Sequence, residues 1–403
     1  MKKIAVLGCG TVGSGVVEVF YKNRQSIQRK AGCPLDIKYI YLRRPRPELP
    51  WQDKLCYDFD TILHDPEISI VVEVMGGLHP AGEWIAACLK NNKSVVTANK
   101  ELIAAQGAQL LALARQHQVN LLFEASVGGG IPIIRPLHQC LGANELDDIQ
   151  GILNGTTNYI LTRMIRAGLS FDAALREAQA NGYAEADPTA DVEGHDACRK
   201  ICILAAIAFG RHIYPRQVPT EGITGVTLAD VAYAESCNKK IKLLGRAIRQ
   251  DDGRICAYVA PHLLDGENPL SGVEDVFNAI TVKGDAIGDV MFYGRGAGKL
   301  PTASAVVADV MDAARHIKSR KRVEWGPGGE DVTVSPERLE TAWYVRAKGR
   351  VDAVRAGFPG VALLSRSGAP AEEVAFLTPV MTGAEVLERL GALEPQSLFR
   401  VLD

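Results

Sequence analysis

The sequence predicts an α/β protein: a doubly wound parallel sheet of the nucleotide-binding kind, then an α+β domain and a small α+β C-terminal module. Three observations carry this reading. From residue 1 to about 130, short apolar β-rich runs alternate with helical stretches, the rhythm of βαβ units. A glycine loop follows the first run directly, and after residue 131 the pattern changes to long helices and then to extended runs.

Strands are expected at Lys3–Leu7, Ile37–Leu42, Ile68–Val74, Ser94–Thr97 and Val119–Glu124, with the clearest helices at Gly82–Asn91 and Glu101–His117. The second domain spans 131–304 and contains a nearly all-apolar helix at Ala197–Phe209 and extended runs Arg254–Leu263 and Val276–Val282. A helix from Ala303 to about residue 320 is expected to pack back on the first domain, completing 1–130. Val323–Gly329 reads as a linker to a module at 330–403, with strands at 341–348, 361–365, 374–378 and 397–402 and a helix at 383–391.

With 403 residues, 47% hydrophobic and 23% charged, the chain is too long for a single core to be expected. A net charge of -2 gives no field that would gather nucleic acid or an anionic membrane. The nine cysteines include no C-x-x-C pair and no zinc spacing, so they read as reduced, mostly buried thiols. The apolar run Ile4–Leu7 stops at a glycine turn, too short for a signal peptide, and no apolar stretch could span a bilayer. A cytoplasmic small-molecule enzyme is therefore expected.

The loop Gly8-Cys9-Gly10-Thr11-Val12-Gly13 is G-x-G-x-x-G between a strand and a helix. Glycine there permits the tight turn and lets the backbone approach a pyrophosphate, while the helix N-terminus offers free N–H groups. The second strand ends Tyr41-Leu42-Arg43-Arg44-Pro45-Arg46 without the acid that binds a ribose 2′-hydroxyl. An arginine such as Arg43 suits a 2′-phosphate, so NADP is preferred, with NAD use and a merely solvated loop as alternatives.

Lys100 falls where a strand meets a helix, at the carboxyl edge where open α/β sheets hold ligands, though position alone also fits an ordinary surface lysine. Asn154-Gly155-Thr156-Thr157-Asn158 precedes a helix and can cap it, leaving an N-terminus able to receive a carboxylate. The acidic run Gly182–Gly194 includes Tyr183, Glu185 and Asp191. It leads into His195-Asp196-Ala197-Cys198-Arg199-Lys200, where Asp196 and Lys200, four apart, share a helix face. The apolar segment that follows must be buried, and a buried lysine is costly unless paired, so the pair is a candidate acid/base site. His195 reads as packing or helix-start bonding. Gly294–Gly298, with Gly296 at its centre, is a second glycine loop opening a helix.

Taken in order, these motifs resemble homoserine dehydrogenases over about residues 1–320. The resemblance implies NAD(P)-linked hydride transfer between L-aspartate 4-semialdehyde and L-homoserine, in threonine, methionine and isoleucine biosynthesis. It implies Lys200 as general acid/base with Lys100 in the site and Asp196 positioning the reacting centre. Glu185 and Asp191 would hold the substrate ammonium, beside Tyr183, Gly155 and Thr156. Gly8, Gly10, Thr11, Val12, Gly13, Arg43, Lys100 and Gly296 would contact the cofactor. It further implies a structural sodium ion held by the Glu124 carboxylate and the carbonyls of Val127, Gly129 and Ile131, and a homodimer or higher homo-oligomer. Two departures stand out. Arg295 replaces a usual proline, and the C-terminal module fits an ACT-like βαββαβ order loosely, without the usual Asp-x-Pro-Gly turn; Gly357-Phe358-Pro359-Gly360 is the nearest match. Threonine inhibition is accordingly in doubt, and the module could instead serve assembly. The rival readings are a dehydrogenase of another small aldehyde and a catalytically silent amino-acid sensor, the latter marked by loss of Lys200 or Asp196, and neither is lost.

Overall fold

A computed structural model describes residues 1–321, 323–391 and 393–402; of the C-terminal module expected at 330–403, Ala392 and Asp403 lie outside the described residues. Six strands, β1 (Lys2–Leu7), β2 (Leu35–Tyr41), β3 (Leu55–Cys56), β4 (Ile68–Glu73), β5 (Ser94–Thr97) and β6 (Leu121–Leu122), form one sheet in the order β3-β2-β1-β4-β5-β6. Every pairing in it is parallel. Alternation within β1 builds both faces. Ala5 and Leu7 join the core under α4 (Ala81–Lys90) and α5 (Lys100–Gln116). Ile4 and Val6 pack with α1 (Thr11–Lys22), α2 (Arg24–Ala31) and, from beyond the second domain, α11 (Lys299–Arg315). The short α3 (Phe59–His64), capped by Asp58, completes the connections.

The strand expected at Val119–Glu124 is only two residues long. Its end turns into a 3-10 segment at Glu124–Ser126 because Glu124 is recruited elsewhere. Glu124 N–H donates to Asp309 on α11 (2.8 Å), and its carboxylate accepts from Ile133 (2.7 Å), Ile134 (2.9 Å) and Arg135 (2.9 Å). The carboxylate that the resemblance gave to a cation is thus engaged in holding the chain where the second domain begins.

That domain carries β7 (Leu146–Ile152), α6 (Gly155–Ala167), α7 (Phe171–Ala180), α8 (Thr189–Val192), α9 (His195–Phe209), α10 (Leu228–Ser236), β8 (Lys239–Arg249), β9 (Ile255–Asp265), β10 (Phe277–Gly284) and β11 (Gly288–Arg295). The strands β7 and β8 go unpredicted from the sequence because they are rich in charge. Arg246 of β8 reaches Asp148 of β7 at 2.6 Å, and Arg249 reaches Glu145 and Asp147 at 2.5 and 3.0 Å, so the charges are neutralised across the sheet. The apolar face of α9 covers this sheet, with Ile201 and Leu204 fully buried.

The C-terminal elements are β12 (Glu340–Thr341), β13 (Trp343–Lys348), α12 (Val351–Gly357), β14 (Ala362–Leu364), β15 (Glu373–Leu377), β16 (Met381–Thr382), α13 (Gly383–Leu390) and β17 (Glu394–Leu402). They do not form a detached sheet. β17 pairs in parallel with β9, Arg400 opposite His262, giving one nine-stranded sheet in the order β11-β10-β7-β8-β9-β17-β13-β15-β14. Nor does Val323–Gly329 hang free as a linker. Trp325 is buried, donates from Nε1 to His212 Nδ1 at 2.9 Å and packs edge-on to Phe123 at 5.6 Å.

Candidate active site

Three side chains from two helices, α9 and α5, converge where the two domains meet. Lys200, four residues into α9 beyond Asp196, donates from Nζ to Asp196 Oδ2 and to the Leu153 carbonyl, both at 2.6 Å. Lys100, the first residue of α5, reaches Asp196 Oδ1 at 2.6 Å. One carboxylate therefore holds two ammonium groups, one on each oxygen. Their environments differ: the side chain of Lys200 is 9% exposed and that of Lys100 40%. Burial pulls the Lys200 ammonium below its ordinary value, assisted by the charge of Lys100 and opposed by Asp196. Lys100 is also penalised by burial, but Asp196 outweighs that and holds its proton more firmly than usual. Asp196 itself is buried, which pushes its carboxyl up, yet the two ammonium groups hold it well below the carboxylate range.

Asn154 braces the group. Its Oδ1 caps α6 by accepting from Thr157 N–H (2.8 Å), and its Nδ2 donates to Asp191 (2.7 Å) and Asp196 (2.9 Å). Burial raises the Asp191 carboxyl, and the negative charge of Asp196 adds to this. Thr156 Oγ1 donates to the Tyr183 carbonyl at 2.7 Å, tying the acidic loop to the start of α6. Tyr183 lies edge-on to Tyr159 at 4.9 Å, and Glu185 stands exposed on the same loop. His195 is exposed at the first position of α9.

Toward the first domain, Gly8 has φ +101°, and a Cβ added at Gly13 would lie 2.1 Å from the Gly8 carbonyl. Gly10 precedes α1 with open space beside it, and no side chain caps that helix end. This is a cradle shaped for a pyrophosphate at a helix N-terminus, so Gly8, Gly10, Thr11, Val12 and Gly13 fit a dinucleotide. Gly13→Ala should weaken NADPH binding at least tenfold, because the loop must open for the new methyl group; a fluorescence titration checks it. Of the arginines, Arg46 bonds the Cys9 carbonyl of this loop at 3.1 Å, whereas Arg43 is exposed. Arg295 extends over the Phe277 ring at 5.3 Å, and its carbonyl accepts from Gly130 at 3.1 Å.

Sequence reasoning missed two contributors. Glu73, fully buried at the end of β4, accepts from Met75 N–H (2.7 Å), Gly76 N–H (3.0 Å) and Thr97 Oγ1 (2.6 Å), shaping the carboxyl edge beside β1. An acid ending the apolar run Ile68–Val72 is the signal that could have revealed it. Arg199 of α9 bonds Glu101 of α5 at 3.1 Å and so clamps the domains beside Lys200 and Lys100.

A parallel sheet with an open glycine cradle, together with a buried aspartate that holds one buried and one half-exposed lysine, defines an NAD(P)-binding oxidoreductase. Two family models match: "Homoserine dehydrogenase, NAD binding domain" over residues 8–124 and "Homoserine dehydrogenase" over residues 132–311. A homoserine dehydrogenase from Synechocystis is 47% identical over 324 residues, 79% of this chain and 74% of that one. The crystal structure of a homoserine dehydrogenase from Thiobacillus denitrificans superposes with a TM-score of 0.89 at 36% identity, covering 100% of this chain and 98% of the other. A hyperthermophilic archaeal homoserine dehydrogenase in complex with NADPH matches 78% of this chain and 98% of its own, at a TM-score of 0.67 and 28% identity. The chain belongs to the homoserine dehydrogenase family.

Proposed function

We infer that this enzyme interconverts L-homoserine and L-aspartate 4-semialdehyde with NADP as its preferred cofactor, and that Lys200 is its general acid/base. The observation that carries the role of Lys200 is its burial beside Asp196 and Lys100, which leaves Lys200 the more labile of the two ammonium groups. In oxidation Lys200 takes the proton of the substrate C4 hydroxyl; in reduction it returns that proton to the developing alkoxide. The nicotinamide, when bound, accepts or supplies the hydride. Lys100 stays charged and stabilises the negative oxygen electrostatically. Asp196 orients both ammonium groups. The carboxylate of the substrate is met by the N-terminus of α6 at Gly155 and Thr156. Its ammonium is met by Asp191 and Glu185, with Tyr183 walling that side.

The preference for NADP rests on Arg43 at the end of β2 in place of an acid, with Arg46 beside the glycine loop. Reduction of either cofactor by L-homoserine, followed at the nicotinamide absorbance band, tests the reading. The expected result is turnover with NADP above NAD, and in Arg43→Ala a preference reduced by about tenfold, the worth of a charged hydrogen bond at one exposed phosphate. No turnover with either cofactor would refute the substrate assignment.

For the sodium ion, the Glu124 carboxylate takes two N–H groups on Oε1 and one on Oε2, which leaves an acceptor position on Oε2 for a cation. The main-chain carbonyls of Val127, Gly129 and Ile131, which accept no other backbone hydrogen bond among the described residues, also fit a hard cation. An ACT-like character of the C-terminal module is supported by the order β13, α12, β14, β15, α13, β17. A homo-oligomer is supported by β11, an edge strand that exposes Met291 and Tyr293.

A further inference from the structure

Asn278 on β10 is 1% exposed, yet neither its amide nitrogen nor its amide oxygen has a hydrogen-bond partner among the described residues. Buried polar groups are almost always paired, and an orphaned amide carries a desolvation cost that something must offset. Its placement says what. A Cβ added at Gly296 would lie 2.0 Å from Asn278 Nδ2, so the amide rests directly against that backbone, and a Cβ at Gly155 would lie 3.4 Å from Oδ1. Gly155 follows Asn154, whose amide is 2.9 Å from Asp196, which in turn holds Lys200. On its other side the turn at Gly296 leads into α11, whose Lys299 pairs with Glu18 of α1 at 2.7 Å. The orphaned amide thus lies between the acid/base group and the helix that receives the pyrophosphate.

Its backbone is anchored. Asn158 Nδ2 donates to the carbonyls of Val273 (3.2 Å), Asp275 (3.0 Å) and Phe277 (3.1 Å), and the buried Lys242 adds bonds to Val273 (2.5 Å) and Asn158 Oδ1 (3.1 Å). The covering turn, by contrast, is exposed on its far side at Ala297 and Gly298. A fixed, unpaired amide under a glycine turn that is exposed on its far side is a prepared half of a hydrogen-bond pair.

We propose that Asn278 reads the carboxamide of the nicotinamide ring, pairing with it amide to amide once the Gly296 turn shifts, and so fixes which ring face meets the substrate. The chemistry selects this partner: a carboxamide presents a donor and an acceptor in one plane, as Asn278 does, whereas the substrate's carboxylate only accepts and its ammonium only donates. The proposal rests on the cofactor reading above.

The test is binding without substrate. NADPH and its reduced 3-acetylpyridine analogue, which has a methyl group in place of the carboxamide NH2, are titrated into cofactor-free wild type and Asn278→Leu, following protein fluorescence. Wild type should bind NADPH about fivefold more tightly than the analogue, the worth of one neutral hydrogen bond. In Asn278→Leu, NADPH should weaken about tenfold and the preference should fall to about one. The melting temperature of the cofactor-free variant should be at or above that of wild type, because an unpaired amide is removed; should leucine prevent folding, Asn278→Ala is titrated in the same way. An unchanged preference for NADPH over the analogue in Asn278→Leu overturns the proposal. Failure of wild type to bind NADPH would instead refute the cofactor reading.

Discussion

Lys200→Ala should lower kcat for homoserine oxidation by about 10³-fold, the middle of the range for a lost general acid/base, while leaving NADPH binding near its wild-type value. The split is expected because Lys200 contacts Asp196 and Leu153 in the second domain and touches no part of the glycine cradle. The pH profile gives the matching check. Oxidation needs Lys200 unprotonated, so the wild-type rate should rise with pH and level off above a value that burial has brought below the ordinary lysine value of 10.5. Reduction needs the ammonium, so its rate should fall over the same interval. In the variant both limbs should flatten. Lys100→Ala should behave differently, losing rate without losing the profile, since Lys100 stays charged through this interval. A Lys200→Ala enzyme that kept its rate and its profile would remove Lys200 from the chemistry.

The glycine loop, the helix cap and the acid–lysine pair of the proposed site were legible because local sequence rules reach them, whereas the roles proposed for Lys100, Asp191 and Glu185 came from the resemblance. A glycine loop after an apolar strand, a cap before α6 and an acid four residues before a lysine each act over less than two helical turns. What escaped depended on distant pairing. β8 reads as a basic segment, with Lys239, Lys240, Lys242, Arg246 and Arg249, until β7 supplies its acids. The join between β9 and β17 is parallel and links residues more than a hundred positions apart, so no hairpin signal announces it. Trp325 sits among glycines that suggest a linker, and only the facing His212 and Phe123 make that segment part of the core. Glu124 shows the same limit, since the three N–H groups that hold its carboxylate come from Ile133, Ile134 and Arg135 at the start of a helical segment that the sequence does not announce.

Asp230→Ala tests how far the C-terminal module is bound into the enzyme. Asp230 on α10 is fully buried and accepts from Tyr344 Oη (2.9 Å) and from Arg346 Nε (2.7 Å) and Nη2 (3.2 Å), both residues on β13. It also completes the cap of its own helix with Thr227, whose N–H it accepts at 2.9 Å. Removing it leaves the buried Arg346 facing Gln396 at 2.5 Å and Glu373 at 3.4 Å, so the loss should approach that of breaking a buried ion pair, about 3–5 kcal/mol. Urea unfolding measures it. Burial raises the Asp230 carboxyl, but Arg346 and Thr227 lower it further, to a net value below the ordinary one. The sign follows: a depressed folded-state value contributes stability above the unfolded value of 3.8 that is lost as pH falls through the folded one, so wild type and variant should converge in acid. Because β17 lies between β13 and β9, and α9 with Lys200 packs on β9, undocking β13 should reach the acid/base group through the shared sheet. Stability and kcat should therefore fall together in Asp230→Ala; a variant that unfolds earlier yet retains full kcat below its transition would show that the sheet transmits no strain to α9.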